Sequence, residues 1–168
     1  MKLQHELKRP LPYASLKQEA LLNLLRVGDQ LDNRLSKHFR EHGLTLSRFN
    51  VLRSLMLESR PLTCGEIAER MIQLVPAITT LVDHLEQLGL VVRERCKDDR
   101  RVVFVSITKQ GTKLVDEVMR PLPALENRLL DGLNQSELKA LIELLGKVRE
   151  SINACSTIAN SVTEAVER

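Results

Sequence analysis

Residues 88–111, LGLVVRERCKDDRRVVFVSITKQG, constrain this chain more than any other stretch. Two short runs rich in β-branched residues, 90–95 and 102–106, flank a tight, highly charged tip. That pattern predicts an antiparallel ribbon. Ahead of it, residues 76–87 carry a helical pattern that stops at Gly89. A helix feeding a two-stranded ribbon with arginines at its tip predicts a winged helix-turn-helix, mainly α with a small antiparallel β-ribbon. In such a unit the helix enters the major groove and the ribbon tip lies against the backbone or minor groove. DNA binding is therefore the expected function.

Charge alone would not support that expectation, because the formal net charge is only +3. Its placement does. Arg93, Arg95, Lys97, Arg100 and Arg101 crowd into positions 93–101, diluted by Glu94, Asp98 and Asp99. At 168 residues the chain suffices for one domain with a core, or one domain plus an oligomerisation layer. No apolar run approaches the ~20 residues of a membrane helix, and the first residues lack the apolar stretch of a secretory signal. A cytoplasmic protein with no membrane partner is expected. Cys64, Cys96 and Cys155 are far apart and form no CxxC pair, so neither a zinc ribbon nor a disulfide framework is signalled. Paired catalytic acids, nucleophile motifs, phosphate loops and cofactor fingerprints are lacking, which argues against an enzyme and against a bound cofactor.

The chain divides by pattern. Residues 1–14, with Pro10 and Pro12, read as an extended arm. Ser15 and Gln18 form a capping box for a long helix with an apolar stripe through Leu21, Leu24, Leu25, Gly28, Leu31, Leu35 and Phe39, stopped by Gly43. Ser47 is expected to cap the next helix. Residues 60–62 break it and supply a short third strand. Thr63 to Glu66 form a second capping box, for a helix turning Ile67, Ala68 and Met71 inward. A turn through Gln73 and Leu74 follows, and Pro76 suits the first position of the reading helix. Its core face is Ile78, Leu81, Val82, Leu85 and Leu88. Its polar face is Ala77, Thr79, Thr80, Asp83, His84 and Gln87, short enough to approach base edges. Thr108 caps a helix to about Met119, Pro121 and Pro123 interrupt the pattern, and Asn134 with Glu137 opens a last helix striped by Leu138, Leu141, Ile142, Leu145, Val148 and Ile152. The expected organisation is an arm (1–14), a dimerisation and linking helix (15–45), a DNA-binding lobe (46–108) and C-terminal dimerisation helices (109–168). Packing of the outer helices against a twin chain would suit a two-fold symmetric DNA site.

In both order and residues the chain resembles the MarR family of transcription regulators, over about residues 15–150. The matching pieces are Gly43-Leu44-Thr45, Leu62-Thr63, Glu66-Ile67-Ala68, Ile78-Thr79, Leu81-Val82-Asp83, Leu85-Glu86, Gly89-Leu90-Val91, Asp99-Arg100-Arg101, Val105, Ile107-Thr108 and Gly111. The resemblance implies a winged-helix homodimer on a pseudo-palindromic operator, usually a repressor, relieved by a small effector. It makes Arg101 the wing arginine of the minor groove, Asp99 the acid bracing the tip, and Arg100 a phosphate contact. Thr79, Thr80, Ala77 and His84 would lie against base edges or phosphates, and Ser47 and Arg48 would add backbone contacts. The chain departs from the family pattern at Lys97, where Pro is frequent, and at Leu74, Val75 and Pro76, where polar residues are usual.

Control is signalled weakly. An effector pocket would be aliphatic, near Leu25, Gly28, Leu31 and Phe49. Cys64 at a helix start and Cys96 among cations have settings that favour a thiolate, so a redox-responsive regulator is one alternative. The other is a winged-helix module that binds protein. His38 and His42 have helical zinc spacing, but no histidine falls in residues 108–128 to complete a site, and no metal is expected.

Overall fold

A computed structural model describes the backbone of residues 3–73, 75 and 77–166, and side chains as far as 155. Helices α1 (Leu3–Glu6), α2 (Leu16–Glu41) and α3 (Leu46–Glu58) lead into strand β1 (Leu62–Thr63). Helices α4 (Cys64–Glu69) and α5 (Ile78–Gln87) follow, then strands β2 (Val91–Arg95) and β3 (Val103–Ile107). Helices α6 (Lys109–Met119), α7 (Leu122–Leu129) and α8 (Gln135–Val166) complete the chain. Two compact units result, Met1–Pro123 and Ala124–Arg168.

Local chemistry sets most boundaries. Ser15 accepts from Gln18 N at 3.1 Å, while the Gln18 side chain reaches Ala14 N at 2.8 Å. Gly43, at φ 71°, ends α2, with Gly43 N donating to Arg40 O and Leu44 N to Phe39 O. That paired closure turns Leu44 into the core. The turn leaves Thr45 extended, and Thr45, not the expected Ser47, caps α3 by accepting from Arg48 N at 3.2 Å. Ser47 instead sits in the first turn. The arm is not wholly extended either: α1 winds one turn that carries Leu3 inward.

Thr63 and Glu66 make the expected reciprocal capping box. Of the side chains expected inward around α4, Ile67 is buried, Met71 packs beside the core just after the helix, and Ala68 is exposed, because the helix is only six residues long and presents one row. Helix α5 begins at Ile78 behind Ala77, which offers no side-chain cap. The turn residue Leu74 and the proposed first-turn Pro76 lie outside the described residues. Leu88 closes α5 as its C-cap and is half exposed, so the core face ends at Leu85.

The strands form an antiparallel sheet in the order β1-β3-β2, with Leu62 opposite Val105 and Arg93 also opposite Val105 from the other side. Val51, Leu52, Leu55, Val82, Leu85, Val91 and Val105 meet in one core beneath it. Helix α6 adds Val115 and Val118 to that core, and Phe39 stacks on Phe49 at 4.6 Å. Thr108 ties the ribbon to α6: its hydroxyl donates to Gly89 O at 2.8 Å and accepts from Gly111 N at 3.0 Å. Gly111 then packs so close to Leu90 O that a Cβ there would overlap the carbonyl. In the second unit Asn134 caps α8 and Glu137 returns to Asn134 N at 2.8 Å, as expected.

Candidate nucleic-acid interface

The polar face of α5 is open. Ala77, Thr79, Thr80, Asp83, His84 and Gln87 are all exposed, while Ile78, Val82 and Leu85 are buried. The small side chains at the helix start leave room for its backbone to approach a groove edge. Ser47 and Arg48 sit in the first turn of α3, half-buried, and the Arg48 Nε is enclosed with no acceptor among the described residues.

The tip of the ribbon is built around Asp99. Its carboxylate accepts from Arg101 N at 3.0 Å, from Arg101 Nε at 3.2 Å and from Arg101 Nη2 at 3.2 Å. The turn is closed by Cys96 N donating to Val102 O and Val102 N donating to Asp99 O, both at 2.9 Å. The Arg101 side chain is nevertheless 91% exposed. The Arg101 guanidinium, and then its backbone N–H, hold the Asp99 carboxyl below the usual carboxylate range. The acid thus restrains the arginine without enclosing it. Arg100, Arg95 and Lys97 are exposed and make no ion pair among the described residues.

One cation of the basic run is spent differently. Arg93 turns back onto α5: Nη1 lies 2.6 Å from Asp83 Oδ1 and 2.8 Å from Glu86 Oε2, Nη2 donates to Thr79 O at 3.2 Å, and Arg93 N donates to Glu86 Oε1 at 3.1 Å. Partial burial works against its charge, but the hydrogen bonds to Asp83 and Glu86 outweigh it and raise its pKa. Asp83, an acid on the polar face, is offset by this cation rather than left to repel phosphate. Sequence reasoning counted Arg93 with the wing and missed the pairing. The available signal was two acids three residues apart on one helix ahead of a strand arginine.

A second ionic cluster fixes the neighbouring helices. Glu66 pairs with Arg60 at 2.8 Å, and Glu58 pairs with Arg70 at 2.8 Å and with Arg60 at 3.6 Å. The Thr63 backbone N–H, then Arg60, pull the Glu66 pKa down to about 2. Beside this cluster a cavity of about 130 Å³ is lined by Asn50, Arg53, Ser54, Leu57, Glu58, Arg70 and Ile72. Asn50 is only 4% exposed and its Nδ2 lacks a partner. Arg53 makes no ion pair among the described residues. Of the residues expected near an effector, Leu25 is exposed, Gly28 faces open space, Leu31 is half-buried and Phe49 is enclosed in the core.

The remaining candidates are separate from this surface. Cys64 and Cys96 are free and half-buried, and Cys64 packs against the core. His38 donates from Nε2 to Val118 O at 3.1 Å, tying α2 to α6. Among the described residues no cluster of three metal-binding side chains occurs, and no helix is long and apolar enough to cross a membrane.

The MarR family profile matches residues 44–103, the stretch from the end of the α2 turn to the start of β3. The transcriptional regulator MhqR of Bacillus subtilis is 30% identical over 125 residues, covering 74% of this chain and 86% of that protein. The chain belongs to the MarR family. Its relatives are helix-turn-helix regulators of transcription, and it is a DNA-binding regulator rather than an enzyme. The B. subtilis transcriptional repressor MdtR is 29% identical over 130 residues, covering 77% of this chain and 83% of that protein. Among solved structures, a cysteine-to-serine variant of MarR from E. coli in complex with operator DNA is 26% identical, with a TM-score of 0.70 over 80% of this chain and 99% of that one. The winged-helix architecture expected from the ribbon and its preceding helix is the MarR fold.

Proposed function

We propose that this MarR-family chain is a cytoplasmic homodimeric repressor that reads a pseudo-palindromic operator and is released from it by a small effector. Helix α5 would enter the major groove with Ala77, Thr79, Thr80 and His84, while Arg101 enters the adjacent minor groove and Arg100, Ser47 and Arg48 meet phosphates. The observation that carries the reading is the braced, exposed Arg101: its guanidinium is presented to solvent while Asp99 restricts its orientation. A narrow minor groove concentrates negative potential and favours such a group.

Homodimer formation is supported by the exposed leucines of α2 and the exposed apolar side chains of α8, which a second copy would cover. Repression is supported by the likeness to MdtR. The division into an arm (1–14), a linking helix (15–45), a reading lobe (46–108) and C-terminal dimerisation helices (109–168) belongs to the same proposal. The cavity beside Asn50 and Arg53 would take a small acid, its carboxylate pairing with Arg53 and its apolar part lying on Leu57 and Ile72, while the charge of the lining Glu58 is offset by Arg70 and Arg60. Calorimetric titration of small carboxylic acids against wild type and Arg53→Ala tests that site; equal heats for both remove it.

The central claim is tested by a salt titration of binding to the DNA upstream of the chain's own gene. Arg101→Ala is expected to weaken binding about tenfold and to reduce the salt slope by about one unit. Unchanged affinity and slope would remove Arg101 from the interface.

A further inference from the structure

The reading surface is split between two elements: the polar face of α5 and the ribbon tip. These are linked through the turn at Gly89 and through Arg93. We propose that Arg93 is a positioning residue for operator recognition, locking α5 and the ribbon into one rigid head so that major-groove and minor-groove contacts act as a single bivalent ligand. This rests on the DNA-reading mode proposed above.

The geometry is specific to the task. Strand β2 lies at the edge of the sheet, beside β3. Arg93 N–H donates to Glu86 Oε1 at 3.1 Å rather than to another strand, so a helix carboxylate occupies part of an otherwise open edge. The guanidinium then spans nearly two turns of α5, from Thr79 O in its first turn to Asp83 and Glu86. Three points of attachment along the helix fix its rotation as well as its distance. A lysine, with one compact ammonium, lacks the planar fork that reaches all three. Thr79 supplies a carbonyl to the clamp while its side chain is on the exposed face, so the clamp holds the end of α5 proposed to read bases.

Two linked contacts gain from each other only when the link holds them at the spacing of their sites. A loose link makes the second contact nearly independent of the first. Loss of Arg93 is therefore expected to reduce the contribution of Arg101, a residue it does not touch.

The test uses a duplex selected by the wild-type full-length chain from a random-sequence pool, beside a scrambled duplex of the same composition. The key variant is Asp83→Asn/Glu86→Gln/Arg93→Met, which removes one positive and two negative charges together, so that no unpaired acid is left facing phosphate. Each protein is measured with and without Arg101→Ala, and its folded fraction is checked by thermal melting. In the wild-type background Arg101→Ala is expected to cost about tenfold on the selected duplex; in the triple variant, about twofold or less. The triple variant should bind the scrambled duplex at least as well as wild type does, because its local charge is one unit less negative. Arg93→Lys, which retains the charge and part of the contact, should give an intermediate coupling. An equal fold-change for Arg101→Ala in both backgrounds would overturn the proposal. So would a loss on both duplexes that merely tracks the folded fraction, which would reduce Arg93 to a stabilising ion pair. A wild-type chain that selects no sequence would remove the reading mode itself, and the clamp's role with it.

Discussion

The winged lobe and the two long helices use the same apolar periodicity to opposite ends. In the lobe, Leu52, Leu55, Ile67, Val82, Leu85 and Val105 are fully enclosed by their own chain. Along α8, Ile142 is 66% exposed, and on α2 Leu25 is 62% exposed. A stripe of leucines thus signals burial without saying by whom. Covering one exposed Leu or Ile is worth roughly 1.5–3 kcal/mol, so several of them supply a strong drive toward another apolar surface. The lobe resembles a finished domain; α2 and α8 each keep apolar side chains exposed.

The contrast can be broken most sharply inside the lobe. Leu55→Ala should destabilise the chain by about 2–5 kcal/mol, read as a lowered urea midpoint, because a large buried side chain leaves a cavity. A shift no larger than that of a surface substitution would mean that the lobe is not self-sufficient. On α8, the proposed homodimer predicts that Ile142→Glu leaves far-UV circular dichroism intact yet sediments as a monomer, with operator affinity falling about a hundredfold as the proposed half-sites are uncoupled. A variant that still sediments as a dimer would place the interface elsewhere. Thr108→Ala removes both a helix cap and the donor to Gly89 O, and should cost about 1–2 kcal/mol in denaturant unfolding. A neutral result would mean that the join between ribbon and α6 is held by packing alone.

The smallest effect sharpens the picture of the lobe's surface. Glu66 is held at about 2 against an ordinary 4.5. Its ionised form is favoured in the folded state, so its stabilisation is present above the ordinary value and lost as pH falls from 4.5 toward 2. Wild type should therefore lose stability more steeply than Glu66→Gln across that interval. Parallel pH profiles would assign acid sensitivity to other carboxylates.

Local chemistry was readable in the chain and long-range chemistry was not. The stops at Gly43 and Gly89, the boxes at Thr63–Glu66 and Asn134–Glu137, and the Asp99–Arg101 tip involve residues within a few positions of one another, and the structure places them as expected. Thr45 displaced Ser47 as a cap because the turn through Gly43 and the buried Leu44 decides where the chain becomes extended. Ala77 carries no capping side chain, so α5 starts without the side-chain cap that marks the starts of α2, α3, α4 and α6. Arg93 joins acids seven and ten positions away across a strand-helix boundary, and a charged run reads the same whether its members face solvent or a neighbouring helix. The buried Asn50 was equally silent, since its helical position does not reveal which face is covered.

The brace at the wing tip also bears on how such a protein finds its target. Lys97, Arg100 and Arg101 are interleaved with Asp98 and Asp99, so the tip carries its own counter-charge. Attraction to random phosphates scales with the cations left unneutralised. A tip of this kind is expected to let go of wrong sites quickly, scanning DNA with short dwell times. Asp99 would surrender Arg101 only where the groove outbids it, which converts a structural restraint into a kinetic filter on the search.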